Sequence, residues 1–307
     1  MIAYRPLEPA RDAVPEAWTF PAYRHLLSLE PDTRFARHGL STRVQPLVSV
    51  ATDGDRVVGM ALACRPAEPE SSEDDGELLS LFVDAEYRRR GIATSLVEQV
   101  ETRLVADGVD AVEAVYMTGT PFVEGVEKAL QARSWDEPEL RMLVLRSSIE
   151  QAFVTPWFKR YRRHKDFVLQ PLVDLEAEIQ AMRHDPPSWI AEDLQPWKFD
   201  FSYIEPASSL GIRLDGELVG WVINHKLTDD AVRFTNTHLR PDLSRRARAM
   251  PVLTESIVRA HDAGFKRLTF TVPACHPEMI RFLRKWCGPY ADFVGETRGV
   301  RKALTIH

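Results

Sequence analysis

The sequence has little cysteine. Cys64, Cys275 and Cys287 are its only three. They are odd in number and far apart, which argues against a disulfide framework or a clustered zinc site and suits reduced thiols in a cytoplasm. The nine histidines show no H-E-x-x-H or comparable spacing, so no metal is expected. No apolar run reaches the roughly 18 residues of a membrane helix. The opening MIAYRPLEPARD has neither the charge nor the apolar core of a secretory signal. Positive charge is not in excess either. A net charge of −6 argues against a broad nucleic-acid-binding surface. Neither G-x-x-x-x-G-K-[ST] nor G-x-G-x-x-G occurs, which disfavours a nucleoside triphosphate or a dinucleotide. The expectation is a cytoplasmic protein with no membrane partner, its oligomeric state left open.

What is present is ordinary globular material. At 307 residues, 44% of them apolar and 27% charged, the chain can build two domains with a core each. IAYRPL reads as an opening strand and PAYRHLLSL (21–29) as a short helix started by Pro21. LVSVATDGDRVVGMALACR reads as two strands around an Asp-Gly turn. The acidic PAEPESSEDDG is a solvated connector, and ELLSLFV (77–83) a mostly buried strand. Ile92, Leu96, Val97, Val100, Leu104 and Val105 recur near the helical period, with Gly108 placed to cap the helix. AVEAVYM, VEGVEKALQAR and RMLVLRS continue as strand, helix and final strand. Such alternation predicts a mixed α/β sheet.

The second half repeats the plan. Displaced by 156 residues, Arg89 falls on Arg245, Arg90 on Arg246, Ala93 on Ala249, Arg103 on Arg259 and Gly108 on Gly264. DGDRVVGMAL has its counterpart in DGELVGWVI at a larger offset. A shared register of this kind argues for a duplicated fold. The expected organisation is one domain over 1–148, a linker over 149–166 carrying the basic run KRYRRHK, and a second domain over 167–307.

The densest positive charge, RRRG at 88–91, stands between the buried strand and the helix that follows. A helix N-terminus leaves backbone N–H groups unpaired, a glycine lets them converge on one anion, and arginines add bidentate donors shaped for phosphate. The strand and turn therefore form a phosphate or pyrophosphate cradle. Arg88-Arg89-Arg90-Gly91-Ile92-Ala93, within VDAEYRRRGIATSLVEQVE, resembles the [QR]-x-x-G-x-[GA] loop of the GNAT superfamily of acyl-CoA-dependent N-acyltransferases. The resemblance extends more weakly over the order of elements in 1–148. It implies an α/β fold of two GNAT-like domains in tandem, each a mixed central β-sheet flanked by helices. It also implies acetyl-CoA, or another acyl-CoA, as co-substrate. Backbone groups of Leu81, Phe82 and Val83 would then hold the pantetheine arm. The amides of Arg89, Arg90, Gly91, Ile92, Ala93 and Thr94 would hold the pyrophosphate, with Arg88 at the loop's opening.

Two departures stand out. Leu130 occupies the place where the family often has a tyrosine acid, with Trp135 at the neighbouring aromatic position. In the second half the loop reads Ser244-Arg245-Arg246-Ala247-Arg248-Ala249, without glycine and with Pro251 after it, which implies a decayed second site. Acyl transfer needs a neutral amine, a polarised carbonyl and a tolerable leaving group. Glu77, six residues before Val83, is the leading candidate base, and the Val83 N–H the candidate donor to the carbonyl. Glu113 and Tyr116, on AVEAVYM, are the second choices for the base, and Tyr116 is also the candidate for the acid that Leu130 cannot be. The acceptor is expected to be a primary amine on a small molecule or peptide. The alternatives are a non-catalytic acyl-CoA-binding or regulatory module, and thioester decarboxylation on the same fold. The aromatics Trp189, Trp197 and Phe201 read either as walls of a pocket or as core.

Overall fold

The computed structural model describes residues 1–30, 33–37, 40–67, 75–161, 167–244 and 249–304. Contacts divide the chain into two compact units, Met1–Leu140 with Thr297–His307, and Arg141–Glu296. Most of the acidic connector (68–74), much of the basic run (162–166) and the second-copy loop (245–248) lie outside the described residues. No helix among the described residues is long and apolar enough to cross a membrane.

In the first unit β1 (Ile2–Pro6) and β2 (Thr33–Arg37) both pair with β3 (Leu40–Asp53), and β4 (Arg56–Pro66) follows β3. The predicted Asp-Gly hairpin is there, with Asp53 opposite Arg56. The predicted short helix is a 3-10 helix, Pro21–Ser28, whose Leu26 is wholly buried. Strand β5 (Gly76–Val83) runs antiparallel to β4 and parallel to β6 (Ala111–Met117). Between them the chain forms α1 (Ile92–Ala106), and after β6 it forms α2 (Val123–Gln131). Helix α1 buries Ile92, Leu96, Val97, Val100 and Leu104, the face read from the sequence, against Leu47, Val58 and Val112. Gly59 of β4 lets the helix close on the sheet. A Cβ there would stand 3.1 Å from Leu96 Cδ1 and 3.3 Å from Ile92 Cγ2. The start of α1 is thereby seated beside the ends of β4 and β5. The other face of the sheet packs Val50, Met60, Leu62 and Leu79 against Leu26, Trp18 and Tyr23.

The second unit is built on the same plan. It opens with β7 (Glu139–Ser148), α3 (Ile149–Val154) and α4 (Pro156–Tyr161). Next come β8 (Val168–Pro171), α5 (Glu176–Met182), β9 (Leu210–Leu214), β10 (Glu217–Thr228) and β11 (Ala231–Leu239). Helices α6 (Pro241–Ser244) and α7 (Ala249–Asp262), strand β12 (Arg267–Pro273) and α8 (Pro277–Phe282) complete it. Its strand order is β7-β12-β11-β10-β9-β8, with β11 and β12 parallel. The 156-residue displacement carries β6 onto β12 residue for residue and α1 onto α7 to within one residue. Trp189, Trp197 and Phe201 pack against the core around Leu172 and Trp221, so among the described contacts they serve as core.

The division differs from the one read in the sequence. Residues 149–161 form α3 and α4 inside the second unit, with Trp157 and Phe158 buried, rather than a linker. RMLVLRS, read as the first domain's last strand, pairs with β12 from Ser148 opposite Arg267 to Met142 opposite Pro273. The corresponding place in the first unit is filled from the chain's end by β13 (Phe293–Ala303), with Thr297 opposite Met117 and Ala303 opposite Ala111. Electrostatics gives the reason. Arg298, Arg301 and Lys302 meet Glu127, Asp75 and Glu101 at 3.0, 2.6 and 2.8 Å. At the displaced positions β7 carries Met142, Leu145 and Arg146, which would leave Glu127 and Asp75 without these cations.

His225 of β10 makes the second unit sensitive to acid. Its Nδ1 lies 2.8 Å from Thr235 Oγ1. Burial first, then the Arg233 charge, brings its pKa from the ordinary 6.5 to about 4. The folded state keeps the ring neutral, whereas the unfolded chain takes up a proton below its ordinary pKa. The stabilisation is therefore complete above pH 6.5 and is lost as pH falls toward 4. Urea midpoints followed by tryptophan fluorescence should drop between pH 7 and 4.5, and less steeply in His225→Gln. An identical decline in both proteins would refute this assignment.

Candidate functional site

The site begins at a bulge. Leu62 faces Ser80 and Ala63 faces Leu78, so Leu79 is an extra residue in β5. A bulge bends its strand. Pairing with β6 accordingly stops after Gly76–Val112 and Glu77–Glu113, and the two parallel strands part. The Asp84 N–H bonds the Val58 carbonyl at 2.9 Å, which fixes the alternation along β5. Asp84, Phe82 and Ser80 exchange bonds with β4, while the peptide groups of Leu81 and Val83 turn toward the gap. Of the three residues expected to present backbone groups, Leu81 and Val83 face the gap. The polar backbone of Phe82 faces β4, and its ring stacks on Trp18 at 4.6 Å.

Beyond Val83 the chain makes one 3-10 turn, Ala85–Tyr87, and enters the arginine loop. Arg89 takes φ +61° and Gly91 φ +76°. The first intrahelical bond of α1 runs from the Ser95 N–H to the Gly91 carbonyl at 3.0 Å. Among the described residues no acceptor meets the amides from Arg89 to Thr94. Unpaired N–H groups at a helix start, curled by two left-handed residues, present a concave set of donors of the kind that suits an anion. The Arg88 guanidinium closes the gap's mouth. Its Nε donates to the Val83 carbonyl at 3.0 Å, and the group lies over the rings of Phe122 at 4.6 Å and Phe82 at 5.8 Å. Arg90 donates to the Glu86 carbonyl at 2.9 Å and lies over Tyr87.

Glu77 holds the last paired position before the gap, half-buried, with Oε2 shielded from solvent. It lies close to Tyr23, whose phenol is pushed above its ordinary pKa by burial and then by the charge of Glu77. Thr19 and Ser80 hydroxyls meet at 2.6 Å on the same side. Tyr116 packs instead against the core under α1. Its hydroxyl donates to Glu127 Oε1 at 2.9 Å, and Arg298 donates to the same oxygen at 3.0 Å. Burial and Glu127 raise the Tyr116 pKa. The two catalytic candidates thus belong to different cores. Leu130 and Trp135 are buried, Trp135 Nε1 donating to Glu101 at 2.8 Å. Trp18, Thr19, Tyr23 and Ser80 carry no sequence signal for this site, since they meet only once β5 has bent.

The first unit thus carries a concave amide loop after a bulged, splayed strand pair, and the second unit repeats the order of strands and helices. Residues 10–121 match the profile of the Acetyltransferase (GNAT) family. Over its length the chain is similar in fold to a tandem GNAT protein from the clavulanic acid biosynthesis pathway, with TM-score 0.58, 12% identity and 99% of each chain covered. It is also similar to a GCN5-related N-acetyltransferase from Sphaerobacter thermophilus, with TM-score 0.57, 16% identity, and 99% of this chain and 96% of that one covered. No curated protein matches the sequence. The family match thus covers part of the first unit, and the chain as a whole shares the fold of tandem GNAT proteins.

Proposed function

We propose that the first unit is an N-acyltransferase, moving an acyl group, in the simplest case acetyl, from acyl-CoA to a primary amine of a small molecule or peptide. The observation that carries this reading is the run of amides from Arg89 to Thr94 without an acceptor at the head of α1. A pyrophosphate supplies the oxygens those amides lack. The peptide groups of Leu81 and Val83 suit an extended arm that itself carries amides, held as an added strand would be. When bound, the thioester supplies an activated acyl carbon and a thiolate that can leave. The Val83 N–H polarises the acyl carbonyl, and Glu77 removes the proton of the incoming amine, directly or through water. Tyr116 holds a proton that it could give to the thiolate only by parting from Glu127. The second unit serves as a degenerate copy, its loop lacking glycine.

Calorimetry tests the binding half. Acetyl-CoA should bind at one site per chain, and Gly91→Val should weaken it at least tenfold with little change in melting temperature. A β-branched residue at φ +76° costs about 1–3 kcal/mol in that conformation. Relief of that strain would turn the amides away from the anion. The same change at Ala247 should leave affinity unaltered. Two equivalent sites, no site, or equal losses at both positions would overturn the assignment. Thiol release that requires an amine supports transfer, whereas tight binding without turnover would mark a regulatory module.

A further inference from the structure

The second unit brings together three side chains that the sequence keeps apart. Asp193 stands on the single turn Glu192–Leu194, and Cys275 and His276 in the turn between β12 and α8. His276 Nε2 lies 2.6 Å from Asp193 Oδ2, and Cys275 Sγ lies 3.7 Å from the same oxygen. One ligand atom from each falls within 4.8 Å of the others. Asp193 and Cys275 are exposed and His276 is half-buried, so an ion could enter from solvent.

Both pieces are held from behind. Pro273 and Pro277 bracket the Cys275–His276 turn, which is closed by a bond from the His276 N–H to the Pro273 carbonyl at 3.0 Å. On the other side Asn236 Nδ2 donates to the Leu194 carbonyl at 3.3 Å, and Asn236 Oδ1 accepts from the buried Trp221 Nε1 at 3.2 Å. Nearby, His238 Nε2 is shielded from solvent and has no hydrogen-bond partner among the described residues. His238 is close enough to feel the charges of both Asp193 and His276.

We propose that Asp193, Cys275 and His276 form a zinc-class divalent metal site, with the fourth position open to solvent. A thiolate, an imidazole and a carboxylate are a donor set that zinc takes in preference to calcium or magnesium. Bond lengths of about 2.0–2.3 Å put tetrahedral ligand atoms roughly 3.3–3.7 Å apart. The sulfur–oxygen separation already meets this. The histidine–aspartate contact must open by less than about 1 Å, within reach of one rotation of the exposed Asp193 side chain. On binding, the ion takes the place of the thiol proton, which is released to solvent, and of the proton that His276 Nε2 donates to Asp193, which moves to Nδ1 or is likewise released. The ion would then pin the 192–194 turn to the head of α8. The sequence reading expected no metal because no local spacing announces this site.

The test uses the full-length chain after treatment with a chelator. It should take up one equivalent of Zn²⁺ against a chromophoric competitor. Co²⁺ in its place should give a thiolate-to-cobalt charge-transfer band in the near ultraviolet. Cys275→Ser should abolish that band, and His276→Ala and Asp193→Asn should each weaken Zn²⁺ binding at least tenfold. Circular dichroism melts check that the variants fold. A chain without stoichiometric metal uptake, or a band that survives in Cys275→Ser, would overturn the proposal.

Discussion

A chain ended at Glu296 is expected to lose the fold of its first unit, and acyl-CoA binding with it. The missing segment is the closing strand of that unit's sheet. Without it the edge of β6 from Ala111 to Met117 is left open, an unpaired row of backbone groups that invites association. Val300 and Leu304, both buried, leave the core under α1. The electrostatic loss is larger. Glu101 is 4% exposed and is held by Arg133, Trp135 and Lys302, each at 2.8 Å. Removing one partner of a buried charge costs about 3–5 kcal/mol, of the same order as the 5–15 kcal/mol that stabilises a typical domain. Arg301, bound twice to Asp75, is lost in the same cut. Limited proteolysis should therefore degrade residues 1–140 of the shortened chain while the full chain resists. Lys302→Met alone should lower the melting temperature without abolishing folding, since Arg133 still meets Glu101. A shortened chain that binds acyl-CoA with unchanged affinity would refute the exchange of closing strands.

Local features were the ones the sequence made legible. The face of α1 is written in its period, the β3–β4 turn in Asp-Gly, and the second copy in a constant displacement that lands β6 on β12. The loop at 88–94 could be read because strand, glycine and helix adjoin in sequence. The partner of the closing strand could not. Strand patterning marks RMLVLRS as a strand, not the sheet it joins, and the closing strand at the chain's end was not read at all. The acids that decide it lie 171 to 226 residues from their cations. The bulge at Leu79 was equally hidden, because it shows only in the register of β5 against β4, where Leu62 meets Ser80 and Ala63 meets Leu78. With the bulge hidden, the turning of Phe82 toward Trp18 and the wall formed by Thr19, Tyr23 and Ser80 stayed hidden too. Asp193 and Cys275, 82 residues apart, belong to the same class of long-range encounter.

Glu77→Gln is expected to lower turnover by about 10²–10⁴-fold at neutral pH, the usual worth of a general base. A primary amine is mostly protonated there, with an ordinary pKa near 10.4 if it resembles lysine, so a group must take that proton before or during attack. Glu77 sits where β5 and β6 part, the last residue of β5 still opposite β6. It also lies beside Tyr23, against the core opposite the one that seats α1. An amine could thus approach from the side of Trp18 and Tyr23 while the acyl donor lies along Leu81 and Val83. Glutamine keeps the size and hydrogen bonding of Glu77 and removes only the basic oxygen. Acyl-CoA affinity should stay nearly unchanged, because the anion loop lies at the far end of β5. The deficit should also shrink as pH rises, because free amine then becomes abundant without help. A purely structural role would give a deficit that is independent of pH. If the variant turns over at the parent rate at neutral pH, Glu77 is not the base, and Glu113 or a water relay from Tyr116 takes its place as the candidate.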